Sequence, residues 1–281
     1  MTGGEESGAL TSLFGLSGKT FIVIGGGQGM GEATVRLLAR LGANVAVVDL
    51  EQERAERVAA DAASVGVSAL PASVDVTDDV ALTAAIARIE RELGPPDGMA
   101  SVVGMAGWSP LIDMTAETWD RDHQRNLRYF FFAAREVARS LLDRGAPGSI
   151  VGVGSVDGLM SAPNHASYGA AKAGLVSLAK SMAAEWSAQG VRVNIVAPGA
   201  IVTPRIPLSD PEKEKSNFRR VPMQRRGNVD DIAKAIVFFL SDLSPYVTGQ
   251  TLAVDGGYTS VGVFENRPIV KAQQTIGLDG D

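Results

Sequence analysis

The chain has 281 residues, no cysteine, two histidines and a formal net charge of −6. That length fits one large domain or two small ones. The missing cysteines exclude a disulfide framework, thiolate metal sites and a cysteine nucleophile, and with His123 and His165 alone no metal centre is expected. An acidic balance leaves no basic face for nucleic acid or an anionic membrane, no apolar run is long enough to span a bilayer, and residues 1–12 lack the regions of a signal peptide, so a cytoplasmic protein is expected.

From Lys19 onward, short aliphatic runs alternate with longer amphipathic segments. Residues 20–24 read as a strand that stops on Gly25, and 31–41 as a helix that stops at Gly42. A second strand over 44–48 closes on Asp49, with helix over 52–64. A third, over 68–74, closes on Asp75 and is followed by a helix over 78–93 whose acidic start suits the helix dipole. A fourth strand over 99–103 precedes a long helix over 117–144 that carries Asn126. Residues 149–153 form a fifth strand. The proline-free run 166–186, rich in Ala, Leu, Lys and Met, reads as a helix. A sixth strand, 191–196, runs into Ala197-Pro198-Gly199. Residues 203–226 hold Pro204, Pro207, Pro211 and Pro222 and break the pattern, which suggests an irregular lid over a site. Helix returns over 229–240 and strand over 251–254. Residues 1–15 form an N-terminal extension, 16–258 one domain and 259–281 a tail.

Strands that are apolar throughout, each separated by a helix, predict an α/β fold: a single doubly wound parallel sheet with helices on both faces. Ligands then bind beyond the carboxyl ends of the strands. Asp49, Asp75, Ser155 and Pro198-Gly199 all follow strands, which favours one crevice.

Gly25-Gly26-Gly27-Gln28-Gly29-Met30-Gly31 joins the first strand to the first helix. Glycines there permit a tight turn and close approach to a pyrophosphate at a helix N-terminus. Asp49, at the next strand end, suits the hydroxyls of an adenosine ribose and repels a 2′-phosphate. With no Arg or Lys within 25–31, the cofactor reading is NAD. S-adenosylmethionine fits the same two features.

Ser155 follows the fifth strand, and Tyr168 and Lys172 lie one turn apart on the following helix. An ammonium beside a phenol lowers the phenol pKa, which suits a general acid/base acting on an alcohol or carbonyl. Ser155 can hydrogen-bond the same substrate oxygen.

Taken in order, the Gly25/Gly29/Gly31 loop, Asn126, Ser155, Tyr168-x-x-x-Lys172 and Pro198-Gly199 resemble the classical short-chain dehydrogenase/reductase family, from about Leu16 to Tyr258. The resemblance implies a Rossmann-type sheet and hydride transfer between a secondary alcohol or ketone and NAD. It implies Tyr168 as acid/base, Lys172 on the nicotinamide ribose, Ser155 on the substrate oxygen and Asn126 in a proton relay. Gly25, Gln28, Gly29, Met30 and Gly31 are implied at the pyrophosphate or ribose. Asp49 and Leu50 are implied at the adenosine ribose, Asp75 and Val76 at the adenine, and Gly104, Ile201 and Thr203 at the nicotinamide half. A homotetramer is also implied.

The chain departs from the family in having Gly104-Met105-Ala106-Gly107 where Asn-Asn-Ala-Gly is usual, and Ile24 where Thr is common. Trp108, Met114, Met160, Ile206 and Pro207 are candidate lining for an apolar substrate pocket, suited to a cyclic or steroid-like alcohol. The alternatives are an acyl-carrier-protein ketoreductase, a Rossmann-like S-adenosylmethionine methyltransferase and a catalytically silent NAD-binding protein.

Overall fold

The computed structural model describes residues 12–212, 214, 218–219 and 221–260. Most of the predicted N-terminal extension and most of the tail lie outside them. The elements run β1 (Thr20–Ile24), α1 (Gly29–Arg40), β2 (Asn44–Asp49), α2 (Gln52–Ala63), β3 (Ala69–Ser73), α3 (Asp79–Leu93) and β4 (Gly98–Ser101). They continue with α4 (Ala116–His123), α5 (Tyr129–Asp143), β5 (Gly148–Val153), α6 (Ala166–Trp186), β6 (Val191–Pro198), α7 (Val229–Leu240) and β7 (Thr251–Val254).

All the strands pair in parallel, in the order β3-β2-β1-β4-β5-β6-β7. The predicted doubly wound α/β sheet is therefore present. Its order reverses between β1 and β4, and that switch point opens a crevice at the carboxyl ends of the strands. Ile24, the last residue of β1, pairs with Val48 on one side and Ser101 on the other.

Alternation along β1 divides the core between the two faces. Ile22 and Ile24 join Phe130, Leu141 and Ile150 in one layer. Phe21 and Val23 join Leu38, Val58, Ile232 and Phe239 in the other. Pro71 is tolerated because β3 is an edge strand, where a missing N–H leaves no ladder bond unmade.

The long helix predicted over 117–144 is not uniform. Between α4 and α5, residues Gln124–Arg128 form a π-helical turn. The Asn126 side chain donates to the Asp122 carbonyl at 2.8 Å, competing for the acceptor that a regular helix gives to the Asn126 backbone. Single π turns of this kind mark sites in many proteins.

Within the segment 203–226, the described residues make defined contacts. Its base is fixed by bridges Ile201↔Gly227 and Thr203↔Ile206. Arg226, whose side chain is 5% exposed, pairs with Glu214 at 2.8 Å and donates to the carbonyls of Ile206 and Pro207 at 3.2 and 2.7 Å.

Candidate active site

The glycine loop is pinned to the sheet. The amides of Gly25 and Gly26 both donate to the Val48 carbonyl, at 2.7 and 2.9 Å. Gly25 and Gly29 have φ of +82° and +60°, a region open to glycine at little cost. A side chain on Gly31 would place its Cβ 1.9 Å from the Gly25 carbonyl oxygen. The backbone thus makes a cradle at the start of α1 that only glycines fit, as a dinucleotide pyrophosphate requires.

Asp49 is 8% exposed, and its carboxylate accepts from the Gly27 amide at 2.9 Å and the Glu51 amide at 3.2 Å. It therefore joins the end of β2 to the glycine loop. The 25–31 loop holds no basic residue, but the fold brings Arg54, Arg57 and Arg205 to it. Arg54 approaches Asp49 to 3.9 Å while pairing with Glu51 at 2.7 Å. Arg57 donates to the Gly27 carbonyl and pairs with Glu32. With its oxygen turned toward them, the Gln28 amide accepts from Arg54 and Arg205, each at 3.2 Å. Pro204 Cδ lies 3.6 Å from where a Cβ on Gly29 would sit, so the chain after Thr203 approaches the loop.

Of the other residues predicted on the cofactor side, Leu50 is exposed and Val76 buried. Asp75 accepts from the Thr77 amide and hydroxyl, at 2.9 and 2.7 Å, and these bonds hold its carboxyl below the usual range. Ile201 is buried, and the Thr203 hydroxyl accepts from the Ile206 amide at 3.2 Å.

Ser155, Tyr168, Lys172 and Asn126 converge. Ser155 lies two residues after the end of β5 and accepts from the Asp157 amide at 3.1 Å across the short turn Val156–Gly158. Lys172 is 1% exposed; its Nζ donates to the Val153 carbonyl at 2.8 Å and lies 5.6 Å from the Tyr168 ring centre. Asn126, fully buried, accepts from the Met105 amide at 3.2 Å and donates to the Met105 carbonyl at 3.0 Å.

The departure at Gly104 lies beside this cluster. A Cβ there would lie 2.8 Å from Asn126 Oδ1 and 3.0 Å from Lys172 Nζ. Asn126 and Lys172 thus occupy the space that a side chain at 104 needs. The strand end is braced by Asn126 instead, and by Tyr129, whose hydroxyl donates to the Val103 carbonyl at 2.8 Å.

The expected lowering of the Tyr168 pKa by Lys172 is not what the site produces. Burial pushes the phenol up to about 12, against the pull of the Ser155 hydroxyl, and the Asp157 and Asp122 carboxylates add to the rise. Burial also lowers Lys172 to about 7, so above neutral pH it holds little charge with which to favour a phenolate.

Sequence reasoning missed the pairing of His165 with Asp157 at 2.6 Å, although both flank the motif residues. It also missed Asp122, 2% exposed, which accepts from the Ser167 hydroxyl and the Gly107 amide and so ties α4 to α6. Among the predicted substrate-side residues, Trp108, Met160 and Ile206 are 73%, 41% and 60% exposed. They stand at a rim rather than lining a closed pocket. Met114 is partly buried and Pro207 is exposed.

A family model described as Enoyl-(Acyl carrier protein) reductase matches residues 25–259. The chain is 38% identical to 2-(S)-hydroxypropyl-CoM dehydrogenase 3 of Xanthobacter autotrophicus, over 88% of this chain and 98% of that protein. It is 34% identical to gluconate 5-dehydrogenase of Gluconobacter oxydans, over 88% and 97%. The chain belongs to the classical short-chain dehydrogenase/reductase family. A solved short-chain type dehydrogenase/reductase from Mycobacterium marinum superimposes with a TM-score of 0.82 at 30% identity, over 88% of this chain and 98% of that one. Membership removes the methyltransferase reading. As a short-chain dehydrogenase/reductase, the chain is an oxidoreductase acting between an alcohol and a ketone, in a family whose dehydrogenases use nicotinamide cofactors. Among the described residues no helix is long and apolar enough to cross a membrane.

Proposed function

We propose that the protein is an NAD-dependent dehydrogenase of a secondary alcohol, running in reverse as a ketone reductase. The observation that carries this is the meeting of Ser155, Tyr168, Lys172 and Asn126 at the strand ends next to the Gly25–Gly31 cradle and Asp49. NAD, when bound, accepts the hydride from the carbinol carbon. Ser155 and the Tyr168 hydroxyl hold the carbinol oxygen, and Tyr168 removes its proton in oxidation or returns it in reduction. Lys172 passes that proton on from Tyr168, and Asn126, whose Oδ1 faces the same space beside Gly104, orders a water in the relay.

The pyrophosphate would be held by Gly25, Gln28, Gly29, Met30 and Gly31, the adenosine ribose by Asp49 and Leu50, and the adenine by Asp75 and Val76. Gly104, Ile201 and Thr203 flank the nicotinamide half, with Tyr168 and Lys172 at its ribose. Residues 203–226 act as the substrate lid. The exposed apolar rim of Trp108, Met160 and Ile206 suits a cyclic, steroid-like or otherwise apolar substrate body. The proposed setting is the cytoplasm.

Cofactor choice rests on Asp49, because a carboxylate at that place binds a ribose diol and repels a phosphate. Arg54 and Arg57 are each paired with a carboxylate, which mutes their attraction for a 2′-phosphate. A panel of secondary alcohols followed by NADH absorbance tests the activity. Asp49→Ala is expected to raise KM for NAD⁺ by about 10- to 100-fold, the worth of a hydrogen bond to a charged group. It also narrows the preference over NADP⁺; an unchanged NAD⁺/NADP⁺ ratio would remove the cofactor assignment. The proposed assembly is a homotetramer, and a monomeric mass in light scattering would refute it.

A further inference from the structure

Asp122 lies on α4 and is 2% exposed. Its Oδ2 accepts two bonds, from the Ser167 hydroxyl at 2.5 Å and the Gly107 amide at 3.1 Å. Ser167 is buried and immediately precedes Tyr168 in α6. The Asp122 main-chain carbonyl accepts from the Asn126 side chain, which in turn grips Met105 through both its amide and its carbonyl. One turn of chain, 122–126, thus pins both ends of the 105–107 segment and the start of the helix that carries Tyr168. A Cβ on Gly107 would lie 3.0 Å from Asp122 Oδ2, so backbone and carboxylate are already in close contact.

This network does not by itself call for a charge. Both donors converge on one oxygen, and the oxygen of an asparagine amide, with two lone pairs, accepts both as well. Burying a carboxylate is costly without a paired cation. The neighbouring Arg121 pairs with Glu117 instead, and no cation is bonded to Asp122 among the described residues. Tyr168 is faced by Ser155 and Asp157 after β5, by His165 ahead of α6 and by Lys172 one turn along it. Asp122 on α4 and Tyr129 on α5 complete its surroundings. Of the two carboxylates, Asp157 is bonded to the His165 ring, which can take up a proton, whereas Asp122 meets only neutral donors. Its charge and the burial of the phenol act on Tyr168 in the same direction.

We propose that Asp122 is a positioning residue for the proton transfer: its bonds set the stance of Tyr168, Asn126 and the 105–107 segment, and its buried charge acts on the Tyr168 hydroxyl. A negative charge near a phenol disfavours the phenolate. Asp122 therefore keeps Tyr168 as the proton donor that ketone reduction needs, and places the alkaline rise of oxidation at higher pH. This rests on the dehydrogenase reading given above.

The test is the pH profile of kcat/KM in the full-length protein, for oxidation by NAD⁺ of the fastest alcohol in the secondary-alcohol panel, with NADH binding measured alongside. Asp122→Asn keeps the shape and an acceptor for both donors but removes the charge. Its alkaline rise is expected about half to one pH unit lower, a gain of about three- to tenfold at a fixed pH on that limb. The dissociation constant for NADH stays unchanged. Ser167→Ala cuts one bond and keeps the charge, so its rise does not move to lower pH, whatever its rate. A purely structural role changes the rate alike at every pH. An unmoved limb in Asp122→Asn, or an equal downward move in Ser167→Ala, overturns the assignment while leaving the dehydrogenase reading standing. So does failure of both Asp122→Asn and the smaller Asp122→Ser to fold, since the carboxylate then serves the structure alone. No oxidation of any panel member by the unsubstituted enzyme overturns both.

Discussion

Tyr168→Phe loses turnover by about 10²- to 10⁴-fold, the usual contribution of a positioned general acid/base, while dinucleotide binding persists. The substitution removes one oxygen and leaves the ring, so its packing against His165 and beside Lys172 is retained. In the proposed reaction Tyr168, whose hydroxyl is hydrogen-bonded by Ser155, exchanges its proton with the substrate. The pH dependence follows from the same atoms. Burial pushes the phenol up to about 12, so the phenolate needed for oxidation grows with pH through the alkaline range. The phenol needed for reduction is present throughout neutral and mildly alkaline pH. Oxidation by the unsubstituted enzyme is therefore expected to climb as pH rises above neutral, with reduction much flatter. The measurements are initial rates in both directions across pH and a fluorescence titration with NADH. Turnover near normal in Tyr168→Phe would remove Tyr168 from the chemistry, and an oxidation rate that is flat with pH would remove the phenolate step.

How much of this was legible without coordinates depends on how local each signal is. The strands were legible because aliphatic runs such as Phe21-Ile22-Val23-Ile24 are buried on both faces, and a parallel sheet demands that pattern. Ser155, Tyr168 and Lys172 were legible because a strand end and one helical turn fix their spacing. The π turn at Asn126 was hidden, since a side chain that takes a helix carbonyl does not disturb hydrophobic periodicity. The direction of the Tyr168 shift was hidden too, because four-residue spacing reveals a neighbour but not the burial that lowers Lys172. Gly104 looked like a loss of two amides. That it stands against the Asn126 and Lys172 side chains is visible only in the fold. Arg54 lies outside the glycine loop in sequence and meets Asp49 only through the packing of α2.

Gly31→Ala is expected to be the most damaging single methyl in the cofactor loop. The added Cβ would sit 1.9 Å from the Gly25 carbonyl oxygen and 2.7 Å from its carbon, both of them backbone atoms. Neither can turn aside as a flexible side chain would, since Gly25 and Gly26 are tied to the Val48 carbonyl and β1 is held by strands on both sides. Relief requires α1 to lift away from the sheet. That exposes part of the packing of Val35 and Leu38, both 0% exposed. The expected destabilisation is about 1–3 kcal/mol, the usual range for overpacking, together with a rise of roughly 100-fold in the dissociation constant for NADH, as the cradle and the helix start part company. Gly29→Ala provides the contrast. Its Cβ meets nothing nearer than Pro204 at 3.6 Å, so the cost there is the left-handed φ of +60° alone, about 1–2 kcal/mol. Thermal unfolding and NADH titration of the two variants side by side decide the matter. If Gly31→Ala keeps the unsubstituted Tm and affinity, the turn is not close-packed against α1, and the cradle loses its role in holding a pyrophosphate.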